Sequence, residues 1–148
     1  MEKYLMQMVM GCIGAVGFAV LFNVRSSKLW IIAAASAASW MGFALGMLGG
    51  AGIFWAMFCG TAVAALISEI LARIVRVPVL MLLVPILIPL IPGGDLYHMM
   101  SNLVRGHADA AVYYGRLLLL QAGAIALGII AVASLMSVIM GFKARKKL

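Results

Sequence analysis

Of the 148 residues, 66% are apolar and only 10% are charged, and the mean hydropathy is +1.18. A water-soluble domain carries about 25% charged residues, so these proportions exclude one and define an integral membrane protein. The formal net charge of +7 does not call for nucleic acid, because basic residues flanking apolar spans are what membrane topology and anionic lipid demand. The length admits about five spans of roughly 20 residues and no separate soluble domain. Residues 1–148 therefore read as a single transmembrane domain, all-α and polytopic.

Residues 4–22 form the first span. The run is about a full bilayer long and further spans follow, which favours a retained helix over a cleaved signal. Gly11, Gly14 and Gly17 recur every third residue as a close-packing strip, and Asn23, Arg25, Ser26, Ser27 and Lys28 make a basic turn. The second span is 29–48, with Ser36 and Ser39 expected to bond across helices or to their own backbone. Its Gly42 and Gly46 have the four-residue spacing of close helix crossings. After an uncharged Gly49-Gly50 turn, 51–71 returns as the third span, with Trp55 where an interfacial aromatic sits. Glu69 lies near its end, four residues before Arg73. That spacing supports a helical ion pair satisfied at the membrane edge, which is the favoured reading; the sharper one makes an acid inside a span a proton-coupling group.

Residues 77–105 cannot be one regular helix. They hold Pro78, Pro85, Pro89 and Pro92, then Gly93-Gly94-Asp95, and each interior proline removes a donor and crowds the carbonyl four residues back. Pro85, Pro89 and Pro92 are thus expected to free the carbonyls of Met81, Pro85 and Ile88. Lipid tolerates this only where the backbone faces protein or a wet cavity, so the fourth span is proline-broken. Beyond the break, a helix would gather Asp95, His98, Asn102 and Arg105 within an arc of roughly 80°, opposite Leu96, Met99, Met100 and Leu103. A broken span leading into a polar half-helix is how transporters build midplane binding sites. The candidate substrate-binding residues are therefore Pro89, Pro92, Gly93, Gly94, Asp95, His98 and Asn102, and the candidate coupling carboxylates are Glu69 and Asp95. Two plainer readings stand beside these: a solvated helix face, and Asp95 as an N-cap.

Residues 106–116 read as a connector carrying His107, Asp109, Tyr113 and Tyr114. His98, His107 and Asp109 lack compact metal-ligand spacing, and Cys12 and Cys59 have no second sulfur or histidine near them, so neither a metal nor a cofactor is expected. Residues 117–140 are the last span, with Gln121 near its start and Gly123, Ala124 and Gly128 as packing positions, followed by a basic tail. With five crossings, Arg25, Lys28, Arg73, Arg76, Lys143, Arg145, Lys146 and Lys147 share one side, against Lys3, Arg105 and Arg116 on the other. This places the C-terminus in the cytoplasm and the N-terminus outside. No nucleophile or acid pair appears at useful spacing, which argues against an enzyme.

The stretch Phe18-Ala19-Val20-Leu21-Phe22-Asn23-Val24 is followed by a basic turn and a Trp-led helix, and later by Pro89-Leu90-Ile91-Pro92-Gly93-Gly94 leading to Tyr97. Together they resemble the threonine/serine exporter (ThrE-like) family, and within it the YjjB-like small subunit of the split form. The resemblance implies a prokaryotic inner-membrane protein that works with a larger membrane subunit and exports threonine and serine, or in some split pairs small carboxylates such as succinate. Five spans without an internal repeat are few for a complete transporter, which independently points to a partner or a homo-oligomer. A structural or assembly subunit, whose prolines only shape a packing surface, is the alternative from another class.

Overall fold

In a computed structural model the chain is described over residues 2–24 and 28–145, with side chains described for 5–24 and 28–140. The Arg25–Ser27 part of the basic turn, Lys3 and the basic tail fall outside the described side chains. The elements are α1 (Glu2–Leu21), α2 (Leu29–Leu48), α3 (Ile53–Val75), α4 (Val79–Leu87), a 3-10 turn (Ile88–Leu90), α5 (Gly93–Val104) and α6 (Ala108–Arg145). The protein is all-helical and polytopic. Three helices are long and apolar enough to cross a membrane: α2, α3 and the 108–140 part of α6. The pair Val79–Leu90 and Gly93–Val104 reaches the same length and apolarity only when taken together, and it is bent by 59° at the proline-glycine break, the geometry of a broken span or of a re-entrant loop. The apolar stretch of α1 with described side chains is Leu5–Leu21, within a helix of 20 residues, as long as α2.

The helix ends follow from local chemistry. At Asn23 the backbone is left-handed (φ 56°), and the Val24 amide reaches back to the Ala19 carbonyl at 3.0 Å, which closes α1. Asparagine tolerates that conformation better than most residues. Arg76 repeats the device at the end of α3, with φ 57° and the Val77 amide on the Ala72 carbonyl at 3.1 Å. Pro78 then forbids continuation.

Small residues set the helix spacing. Gly42 faces Gly60 and Val63, and Gly46 lies so close to Ala56 that a Cβ would stand 2.9 Å from its Cα. The Ser39 hydroxyl donates to the Gly60 carbonyl across the same α2–α3 contact at 3.1 Å. On α1, Gly11 packs against Pro89 and Gly14 against Ile88, but Gly17 meets nothing. The expected three-glycine strip is therefore a two-glycine seat for the broken helix. Ile32, Ala64, Ile86 and Leu90 are buried at the centre of the bundle.

The length of α6 differs from expectation. The connector is confined to Gly106, with φ 79°, and its neighbours, and the helix begins at Ala108. The Ala111 amide bonds the His107 carbonyl at 3.1 Å, and Asp109 in the first turn complements the positive helix end. Over 38 residues α6 runs about 57 Å, against roughly 30 Å for the hydrocarbon layer. It lies alongside α3 from the Gly128–Thr61 contact to the Arg73–Met140 contact, so the two helices run in the same direction. By this register, residues 108–120 overhang the start of α3 by about 18 Å along the axis of α6, and α5 packs antiparallel on that overhang.

Candidate functional site

The break is resolved by tightening, not by leaving carbonyls bare. The Ile88 amide turns to the Pro85 carbonyl, and the Ile91 amide turns to the Ile88 carbonyl at 3.2 Å. Two of the three carbonyls expected to be free are thus occupied, because a 3-10 turn re-pairs them one residue short of the helical partner. What the break does provide is a change of direction. Leu90 touches Gly60, seven residues into α3, so the chain swings aside about 10 Å inside the end of that helix.

A cavity of about 340 Å³ opens at this point. Every helix contributes to its wall except α4, whose continuation through the 3-10 turn supplies Pro89 and Leu90. Gln7 comes from α1, Trp40 and Phe43 from α2, Ile53 and Met57 from α3, Asp95 from α5 and Gln121 from α6. The centre of its chemistry is one bond: the Gln121 side-chain amide donates to Asp95 Oδ2 at 2.5 Å. Gln121 is 4% exposed, so this contact is sheltered, and among the described residues no cationic one lines the cavity. Asp95 is not the N-cap of α5. That position belongs to Pro92, no side chain caps the helix, and Asp95 sits in its first turn. Its carboxylate is turned across to α6, while the positive end of α5 stabilises the charge without a capping bond.

The start of the polar stripe of α5 therefore faces α6. Asp95 meets Gln121, His98 stacks on Tyr114 with ring centroids 5.0 Å apart, and Met99 lies against Gly115. Leu96, Tyr97, Met100, Leu103 and Val104 point outward and are exposed, and α5 buries no residue. This is the reverse of a helix lying on a water-facing surface.

Of the candidate residues, Pro89 and Asp95 line the cavity. Pro92, Gly93 and Gly94 form the bend beside it, and space around both glycines is open. His98 and Asn102 are displaced along α5: His98 is held by Tyr114, and the Asn102 side-chain amide donates back to the His98 carbonyl at 2.8 Å. Glu69 is elsewhere. It pairs with Arg73 at 2.6 Å, and it lies twelve residues, about 18 Å, along α3 from Met57. Among the described residues no group of three His, Cys, Asp or Glu side chains comes together at metal distance, so His98, His107 and Asp109 do not converge.

Sequence reasoning missed the two glutamines. Both stand alone in apolar runs, and a polar side chain within a span is itself a functional signal. The signal was available at Gln7 and Gln121.

A polytopic helical protein whose broken helix borders a polar cavity has the architecture of a secondary transporter. The family model described as Threonine/Serine exporter, ThrE, matches residues 7–135, and the chain belongs to that family. The match includes every residue of the cavity wall. No curated protein and no solved structure matches the chain.

Proposed function

We propose that the chain is the small subunit of a split threonine/serine exporter, and that the cavity at the break receives the amino acid. The observation that carries this reading is the Asp95 carboxylate, set in a cavity wall whose described residues include two carboxamides and no cation. Asp95 would hold the substrate ammonium. The amides of Gly94 and Asp95, at the positive end of α5 and without a backbone partner, would receive the substrate carboxylate. A dicarboxylate such as succinate would meet Asp95 with no compensating charge among the described residues, so a zwitterion is the better fit.

The same reading includes a larger membrane subunit. The described helices are few for a complete transporter, and the outward side of α5 needs apolar surroundings that this chain does not supply. The excess of basic residues near Lys28, Arg73 and Arg76 supports a cytoplasmic location for that end, in the inner membrane of a prokaryote. The cavity then lies towards the outer face, on the exit side.

The test is export of threonine and serine from cells or vesicles that hold this chain with its partner, compared with Asp95→Asn. The variant is expected to insert and accumulate normally, since the asparagine amide can rotate its oxygen towards Gln121, and to lose most export. Undiminished export by a well-expressed Asp95→Asn protein would refute the site, and export by this chain alone would refute the need for a partner.

A further inference from the structure

We infer that the substrate enters through a second cavity, at the other end of the broken helix, where Lys28 receives its carboxylate. This rests on the proposed export of an amino acid, and it adds the entry end of a path whose exit end is the Asp95 cavity.

The second cavity has a volume of about 170 Å³, that of roughly five or six waters at ~30 Å³ each, which suits a small amino acid. Its described wall consists of Asn23 and Val24 after α1, Lys28 before α2, Val75 at the end of α3, Val77, and Met81 and Leu82 in the first turn of α4. Four helix ends therefore meet there, on the side of the bundle that also carries Arg73 and Arg76. Lys28 is the one cation of that described wall, and it has no ion-pair partner among the described residues. Asn23 adds a neutral carboxamide donor to the same wall. A carboxylate is the group this set recognises, since a charged donor and a neutral one together serve its two oxygens.

Its place on α4 ties this cavity to transport. Leu82 borders it, Leu90 borders the Asp95 cavity, and Ile86 lies four residues from each. All three are buried, Ile86 completely, so the two cavities stand at the ends of one apolar stripe about 12 Å long. The level between them also holds polar groups that a packed core avoids. The Thr61 hydroxyl, one turn beyond Met57 in the direction of Val75, is fully buried and has no hydrogen-bond partner, a condition that costs about 1–3 kcal/mol. Pro85, buried next to Ile86, has no amide hydrogen to give the Met81 carbonyl. Water or the hydroxyl and ammonium of a passing substrate would satisfy both groups. Lys28 stands twelve residues, about 18 Å, along α2 from Trp40 of the Asp95 cavity, so the two charges hold the substrate at different stages: its carboxylate at entry, its ammonium at exit.

The experiment measures uptake of radiolabelled L-threonine into inside-out membrane vesicles that hold this chain with its partner. Wild type is compared with Lys28→Gln, Lys28→Arg and Arg76→Gln. Lys28→Gln should raise KM about tenfold, the loss expected for one charged hydrogen bond, with a maximal rate near that of wild type. Lys28→Arg keeps the cation, and Arg76 is not part of the cavity wall, so both should stay near wild type. An unchanged KM in Lys28→Gln, or an equal rise in Arg76→Gln, would overturn the entry site. The comparison is repeated in proteoliposomes of phosphatidylcholine alone; an effect of Lys28→Gln that vanished there would make the cavity a lipid-headgroup site and overturn it too. Should Lys28→Gln fail to accumulate, Met81→Cys with Cys12 and Cys59 replaced by alanine decides the matter. Saturating L-threonine should slow its labelling by a small thiol reagent from the cytoplasmic side, and labelling indifferent to threonine would refute the proposal. Wild type that moves no threonine would remove the export reading itself, which is a different failure from threonine transport indifferent to Lys28.

Discussion

Gly11→Ala should damage this protein more than one methyl group normally does. A Cβ at Gly11 would stand 2.7 Å from Pro89 Cβ and 2.9 Å from Pro89 Cγ. Carbon atoms in good contact are about 3.5–4.0 Å apart, so α1 and the break must separate by roughly 0.8 Å or more. The obstacle is a proline ring within a tight turn, and it has no rotamer by which to retreat. Overpacking of this kind costs about 1–3 kcal/mol, a factor of about 5 to 150 in a folding equilibrium. The shift is also transmitted to the cavity, because Gln7 lies one turn before Gly11 on the same face of α1 and lines the wall that Pro89 completes. The measurement is thermal stability of the detergent-solubilised protein together with export per molecule, with Gly17→Ala as the comparison, since nothing lies within 4 Å of a Cβ there. Gly11→Ala should melt at a clearly lower temperature and export less, and Gly17→Ala should match wild type. Equal behaviour of the two variants would refute the claim that α1 seats on Pro89.

Glu69→Gln should cost at most ~1 kcal/mol, the range for an exposed helical ion pair, and should leave threonine export intact; loss of proton-driven export with normal abundance would make Glu69 a coupling group. Gly128→Leu should separate α3 from α6, because even its Cβ would be 3.0 Å from Thr61 Cβ and 3.2 Å from the Phe58 carbonyl oxygen, and a drop in abundance measures this. Cysteines introduced at Gly52 and Arg76, in a background lacking Cys12 and Cys59, should be labelled from opposite sides of the membrane, Gly52 from outside. Labelling of both from one side would overturn the direction of α3.

The fold was legible where the signal is long and local. Composition identifies the membrane, the second span matches α2 residue for residue, and the prolines mark the break because a missing donor needs no tertiary context to have its effect. Gly42 and Gly46 also announced their close contact with α3. The pairing of Asp95 with Gln121 was not legible, since it joins residues 26 apart across a bend whose angle no periodicity encodes. The occupied carbonyls of Pro85 and Ile88 were misread for a related reason: a proline says which bond is lost, and only the fold says what replaces it. Residues 106–116 looked like a connector because they are polar. In the structure, Tyr114 and Gly115 supply the seat for His98 and Met99, so helix continuation there follows from α5 folding back on α6.

The orientation of α5 bears on where the hairpin lies. Of its polar stripe, Asp95 and His98 meet α6, while Leu96, Tyr97, Met100, Leu103 and Val104 face out, Val104 at 84% exposed. In water such a helix would gain by turning over, since burying one aliphatic side chain is worth about 1.5–3 kcal/mol. Five outward residues therefore describe a helix with lipid or another membrane protein around it. Because α6 is far longer than the hydrocarbon layer is thick, the hairpin meets this condition by tilting into the interface or by being covered. In either case a Val104→Cys variant, with Cys12 and Cys59 removed, should react slowly with a membrane-impermeant thiol reagent in intact membranes. It should react quickly once the protein is unfolded in detergent and denaturant. Rapid reaction in intact membranes would put the outward side of α5 in water and would remove the argument that this chain requires apolar cover from outside itself.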